Sequence, residues 1–323
     1  DLSVLYMKIY FLGIPATMIY NFGSAILRAV GDSRRPTYYL FISGVVNVIL
    51  NVIFVVGFHM SVDGVAWPTT ITQYLAAVLV LICLYRSHGS IRFIPKQLKI
   101  SKDKLIPILR IGLPAGLQGV LFSVSNVMIQ SAVNSFGSTM VAANSAASNV
   151  EGFVSTSMNA YYNAAITFTG QNMGARKYDR IDSIARICTF LIFTTWFIIG
   201  GVTLLFGRQL LSLYSTDTQV IELGMTRLII MMTFYFLCGI MNVFPGLTRA
   251  MGYSILPMLV TLIGACLLRI VWLATVFSWN PTPMVLYACY PVTWALAGIG
   301  QVAIFLFGRK QIRKQNTPDV EFA

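Results

Sequence analysis

Asn21–Pro36 reads NFGSAILRAVGDSRRP, and Asn242–Pro257 reads NVFPGLTRAMGYSILP. At an offset of 221 with no gap, they share Asn21/Asn242, Arg28/Arg249, Ala29/Ala250, Gly31/Gly252, Ser33/Ser254 and Pro36/Pro257. Six identities in sixteen positions stand well above the roughly one that average composition supplies. Convergent helix-end punctuation accounts for Gly and Pro, but not for Asn and Arg in register. The chain therefore carries an internal repeat.

Each copy straddles the end of one apolar run and the start of the next. Of the 323 residues, 56% are hydrophobic and 11% charged, against about 45–50% and about 25% in soluble domains. So few ions cannot cover a water-facing surface, so lipid must be the outer solvent. The net charge of +12 first suggests nucleic acid. That partner is excluded once the charges are located, because they fall in short segments between apolar runs.

A hydrocarbon core of ~30 Å takes about 20 helical residues to cross. Runs of that size lie near Leu5–Leu27, Thr37–Phe58, Gly64–Tyr85, Leu105–Ser135, Met140–Thr169, Ile184–Phe206, Leu223–Leu247, Ile255–Phe277 and Met284–Phe307. They lack the alternating polarity of barrel strands. The reading is an all-α integral membrane protein with nine transmembrane helices.

Basic residues occupy every second connection: Arg28, Arg34 and Arg35; Arg86 to Lys104; Arg176 to Arg186; Arg249; and Arg309 to Lys314. The others, around Asp63, Phe136–Ser138, Asp217 and Asn280-Pro281, are acidic or neutral. The positive-inside rule then places the C-terminus in the cytoplasm and Asp1 outside.

Six spans separate the two copies of the repeat, so both run in one direction. A parallel repeat of this kind is common among secondary transporters. Three helices precede the Asn242 helix within its bundle, and none precedes the Asn21 helix. The expectation is that three more helices lie upstream of Asp1, giving twelve in two bundles. Residues 1–86 would close the first bundle, 87–104 form a basic cytoplasmic linker, 105–310 make a six-helix bundle, and 311–323 a cytoplasmic tail.

In lipid, polar and small residues mark helix faces turned toward protein or water. The fifth run carries Asn144, Ser148, Glu151, Ser155, Asn159 and Tyr162, spaced to share one helical face. The fourth carries Ser123, Asn126, Gln130 and Asn134. Two such stripes either line a wet cavity or glue helices together. Glu151 is the one acid well inside an apolar run. An intramembrane acid costs about 2.5–3.5 kcal/mol on insertion scales. It therefore reads as a coupling site for an ion or proton, against the alternative of a carboxylate capping a neighbouring helix. Arg269, deep in the eighth run, is expected to pair with a carboxylate across the bundle.

Pro15, Pro114, Pro245 and Pro291 interrupt runs and read as fixed kinks. Five scattered cysteines read as small core residues. Nucleotide-loop, zinc-protease and serine-hydrolase motifs are absent, so no enzyme activity and no cofactor is expected. Energy for pumping would come from an ion gradient.

The stretches ILRAVGDSRRP (Ile26–Pro36), LRIGLPAGLQ (Leu109–Gln118) and GQNMGA (Gly170–Ala175) resemble the multidrug and toxic compound extrusion family of antiporters. Their order and spacing match that family from its fourth helix to its twelfth. The resemblance implies a twelve-helix, two-bundle fold that exports organic, often cationic, compounds in exchange for Na⁺ or H⁺. It implies a multi-pass monomer in a bacterial cytoplasmic membrane, with a small organic substrate and the bilayer as partners. Glu151 matches an acidic position of many bacterial members. Gln118 joins Asn126, Gln130, Asn144, Ser148, Ser155, Asn159 and Tyr162 as candidate cavity-lining residues. Arg28, Gly31, Pro36, Arg249, Gly252, Pro257 and Arg269 are candidate structural positions, and any metal site is left open.

Acids that one subfamily uses in its seventh and tenth helices have no counterpart in Leu105–Ser135 or Leu223–Leu247. A lipid-linked precursor flippase of the same superfamily is the alternative. Such proteins carry a more cationic cavity, for which only Arg269 and Arg110 are candidates here.

Overall fold

The computed structural model describes residues 2–316, and among these no strand occurs. Each of the nine runs lies on a helix. These are α1 (Leu2–Ala29), α2 (Arg34–Gly57), α3 (Asp63–Arg86), α4 (Lys102–Asn134), α5 (Ser138–Gly174), α6 (Arg180–Leu205), α7 (Thr218–Ala250), α8 (Ile255–Phe277) and α9 (Pro283–Asn316). Even the 23 residues of α8 rise about 35 Å, enough to cross the hydrocarbon. Eight of these helices are both long and apolar enough to span a membrane. The ninth, α5, is 37 residues long, and its polar stripe dilutes its hydropathy. Position 1 and the tail beyond residue 316 lie outside the described residues, whereas 311–316 continue α9.

The repeat recurs as one local structure. Gly31 and Gly252 take left-handed φ values of 92° and 94°. In the first copy Gly31 N–H donates to Arg28 C=O at 2.9 Å and Asp32 N–H to Leu27 C=O at 2.9 Å. In the second, Gly252 N–H donates to Arg249 C=O at 2.9 Å and Tyr253 N–H to Thr248 C=O at 3.1 Å. Both are Schellman stops, which cap the last carbonyls of a helix and need a residue without a Cβ. Ser33 and Ser254 then stand at the N-caps of α2 and α8, and Pro36 and Pro257 are buried in their first turns. Each proline carbonyl accepts a side-chain bond, from Tyr20 Oη at 2.9 Å and from Gln301 Nε2 at 2.9 Å. The proline has no N–H to spend, and its placement at a helix start costs nothing.

The chain divides into two compact units, Asp1–Ile100 and Ser101–Ala323. In the first, α1 and α2 pack on α3 around a core of Leu27, Val80, Cys83 and Leu84. The basic stretch after α3 forms two short 3₁₀ turns, and Ile91 and Phe93 within it pack against that core. In the second unit α7 is the central helix, flanked by α5, α6 and α9, with α4 and α8 alongside. Its core includes Val150, Val154, Met158, Leu228, Met231, Met232 and Leu247. Large apolar side chains such as Phe153, Phe190 and Phe197 point outward, 70%, 68% and 75% exposed. Lipid, rather than water, suits such a surface.

Candidate functional site

A cavity of about 440 Å³ lies inside the second unit, among α4, α5, α7, α8 and α9. The α5 stripe lines it with Asn144, Ser148, Glu151, Ser155 and Asn159, and α4 contributes Asn126 and Gln130. A smaller neighbouring cavity, about 230 Å³, is lined by Gln118, Asn159, Tyr162 and Arg249 among others. Gln118, Asn126, Gln130, Asn144, Ser148, Ser155, Asn159 and Tyr162 each border one of the two, and Asn159 borders both. Ser123 and Asn134 stand outside their linings. Ser123 bonds back to Gly119 C=O on its own helix, and Asn134 accepts from Gln130 at 3.0 Å.

At the centre is an ion pair that local sequence patterns did not reveal. Arg227, one turn inside the expected apolar run of α7, donates Nε to Glu151 Oε1 at 2.7 Å and Nη2 to Oε2 at 2.8 Å. Glu151 is 7% exposed and Arg227 6%. The parallel, two-bond fork is the strongest arrangement these groups can make. Arg227 Nη1 also donates to Asn144 Oδ1. That same oxygen accepts from Tyr287 Oη at 3.2 Å, while Asn144 Nδ2 donates to Gln130 at 3.1 Å. The rings of Tyr287 and Tyr290 lie under the guanidinium, at 5.3 Å and 5.9 Å. The one hint in the sequence was a cation inside α7, where the only mid-run acid stood on another helix.

Arg269 differs from expectation. It is 1% exposed and forms no ion pair among those found in the described residues, because both oxygens of Glu151 are held by Arg227. Instead Nη1 donates to Asn126 Oδ1 at 3.0 Å, Nε makes a long 3.4 Å bond to Thr293 Oγ1, and the cation sits over Tyr290 and Phe122 at 4.6 Å and 5.0 Å. It is carried on a single α-helical turn between two π-helical ones, Leu262–Leu267 and Leu273–Phe277. Such widened turns are frequent at functional sites. At the repeat offset of 221, Arg269 corresponds to Val48 and Arg227 to Tyr6. The repeated scaffold does not itself require either charge.

Arg249 gives the smaller cavity its polar wall. It donates to Tyr162 Oη at 2.8 Å and to Gln118 Oε1. Gln118 Nε2 in turn donates to Thr261 Oγ1 at 3.0 Å. This one guanidinium ties the end of α7 to α4 and α5 and, through Gln118, to α8. Arg28 occupies the equivalent last turn of α1. Among the described residues no group of three or more His, Cys, Asp or Glu side chains is placed to hold a metal ion. The five cysteines are free thiols.

Fold and site together define a polytopic, helical membrane protein with a charged polar cavity within one bundle. The MatE family profile matches residues 1–53 and 114–275, and the chain belongs to that family. It is 28% identical over 271 residues to the probable multidrug resistance protein YoeA of Bacillus subtilis, covering 80% of this chain and 58% of that protein. To YpnP of the same organism, also a probable multidrug resistance protein, it is 29% identical over 279 residues, or 86% and 62% of the two chains. The chain thus spans about 60% of the length of these relatives. The crystal structure of the Vibrio cholerae MATE transporter VcmN in its bent form shares the fold, with a TM-score of 0.83 at 20% identity over 96% of this chain and 70% of that one.

Proposed function

We propose that this chain is part of a secondary exporter of small organic compounds, driven by inward exchange of H⁺ or Na⁺ across a bacterial cytoplasmic membrane. The observation that carries the reading is the buried, two-bond Glu151–Arg227 pair on the wall of a polar cavity. Names of the matched relatives, which include multidrug export and resistance proteins, support the same direction.

The mechanism follows from what the pair can lose. Protonating Glu151, or drawing its oxygens onto Na⁺ together with those of Ser148 or Ser155, removes the counter-ion of Arg227. Breaking a buried pair costs about 3–5 kcal/mol. Inverting a two-state equilibrium from 1:99 to 99:1 takes about 5.5 kcal/mol. One ion at Glu151 is therefore nearly sufficient to drive a change of conformation, and cargo that binds the opposite state reverses it. A lipid-linked precursor flippase is disfavoured because, of the two cations lining the 440 Å³ cavity, Arg227 and Arg269, only Arg269 lacks an acidic partner among the described residues, and Arg110 borders neither cavity.

Dye efflux from proteoliposomes under imposed H⁺ and Na⁺ gradients tests the proposal. One gradient should drive efflux, and Glu151→Gln should abolish that dependence. Efflux by Glu151→Gln at the wild-type rate and with the same gradient dependence would remove Glu151 from coupling.

A further inference from the structure

Two guanidiniums but only one carboxylate line the 440 Å³ cavity. Glu151 spends both oxygens on Arg227, so the charge of Arg269 is left over. Arg269 is 1% exposed, and its Nη2 has no hydrogen-bond partner. A buried, unsatisfied charged donor is costly unless something completes it. The other two nitrogens of Arg269 donate to the side chains of Asn126 and Thr293. Around it the wall is aromatic: Phe122, Tyr235, Tyr290 and Trp294, with Tyr290 and Trp294 edge to face at 5.7 Å.

We infer that Arg269 is the anion subsite of this cavity and that it receives the carboxylate of a planar aromatic cargo. The inference rests on the exporter reading and departs from the cationic cargo that the family resemblance implies. On binding, the guanidinium turns its buried, unpartnered Nη2 to the incoming oxygen, while the ring system of the cargo lies along the aromatic wall. A neutral head group of the same shape forfeits the charge-assisted bond, which is about twice as strong as a neutral one. A cationic head group meets an uncompensated guanidinium. Cargo charge and ion coupling then occupy different residues, Arg269 and Glu151, within one cavity.

Equilibrium binding of anthracene-9-carboxylate, its isosteric carboxamide and the 9-methylammonium analogue to the protein in lipid nanodiscs, followed by ligand fluorescence, tests this. The carboxylate should bind at least tenfold tighter than the carboxamide, and the ammonium more weakly than either. Arg269→Gln should bring the carboxylate-to-carboxamide ratio to about one, and Arg269→Lys, which keeps the charge, should retain part of it. Equal binding of the first two ligands to wild type, tighter binding of the ammonium, or an undiminished ratio in Arg269→Gln would each overturn the inference. Should Arg269→Gln fail to fold, the wild-type series and the Lys variant still decide. A ratio of about one in the wild-type protein with gradient-driven efflux intact removes this inference alone; a tenfold wild-type ratio without gradient-driven efflux removes the exporter reading alone.

Discussion

Neutralising Glu151 should destabilise the second unit far more than neutralising an exposed acid whose ion pair has nearly the same length. The Glu151–Arg227 pair is 2.7 Å long, with both side chains under 10% exposed; Glu222–Arg208 is 2.9 Å long, with side chains 50% and 68% exposed. Distance alone would rate them alike. Water around the outer pair screens its attraction and solvates either ion alone, so that pair is worth about 0–1 kcal/mol. In Glu151→Gln the Arg227 cation stays buried without a counter-ion, at a cost of about 3–5 kcal/mol. Asn144 and the faces of Tyr287 and Tyr290 still share that cation, which places the expected loss at the lower end, about 3 kcal/mol. Removing the cation as well, in Glu151→Gln/Arg227→Met, should restore stability to within about 1 kcal/mol of wild type, since an apolar replacement of a buried pair is often neutral. The assay is a double-mutant cycle by reversible unfolding in mixed micelles, read by circular dichroism. The reasoning fails if Glu151→Gln costs no more than Glu222→Gln, or if the double variant loses the sum of its singles.

Other consequences are equally specific. Gly31→Ala and Gly252→Ala should each cost about 1–2 kcal/mol and by similar amounts, because both sites have left-handed φ and open space for a Cβ; unfolding titrations of the two variants check this. Gly264→Ala, whose Cβ would lie 2.8 Å from Ala297 Cβ and 3.0 Å from its Cα, should lower the thermal stability through an overpacking cost of about 1–3 kcal/mol. Gly112→Ala, on an open part of α4, should be neutral or stabilising by the same measurement. In a cysteine-free background, Ser148→Cys and Asn159→Cys should react with a membrane-impermeant maleimide, because water in the cavity supports the thiolate. Phe153→Cys, on the outward face of the same helix, should stay unreactive in hydrocarbon.

Periodicity carried most of what the sequence made legible. The α5 stripe was legible because residues three and four apart must share a helical face, whatever packs against it. The breaks after Arg28 and Arg249 were legible as gaps between apolar runs, but their Schellman geometry came only from the fold, since an aligned Gly does not by itself specify the two closing hydrogen bonds. What the α5 acid would meet was a different matter. Glu151 and Arg227 are 76 positions apart, and Gln118 and Arg249 are 131 apart. No local pattern links such partners. The expected carboxylate for Arg269 illustrates the limit: one acid and two arginines were available, and only helix packing could assign the acid to Arg227.

Sequence by itself thus determined that lipid is the outer solvent, roughly where nine helices run and which face of α5 is polar. All of these are one-dimensional consequences of a solvent that cannot hydrogen-bond the backbone. Tertiary structure alone decided which charges neutralise each other and which guanidinium is left facing the cavity. Those outcomes depend on the rotation and offset of five helices about their axes, which the pattern along any one helix does not specify.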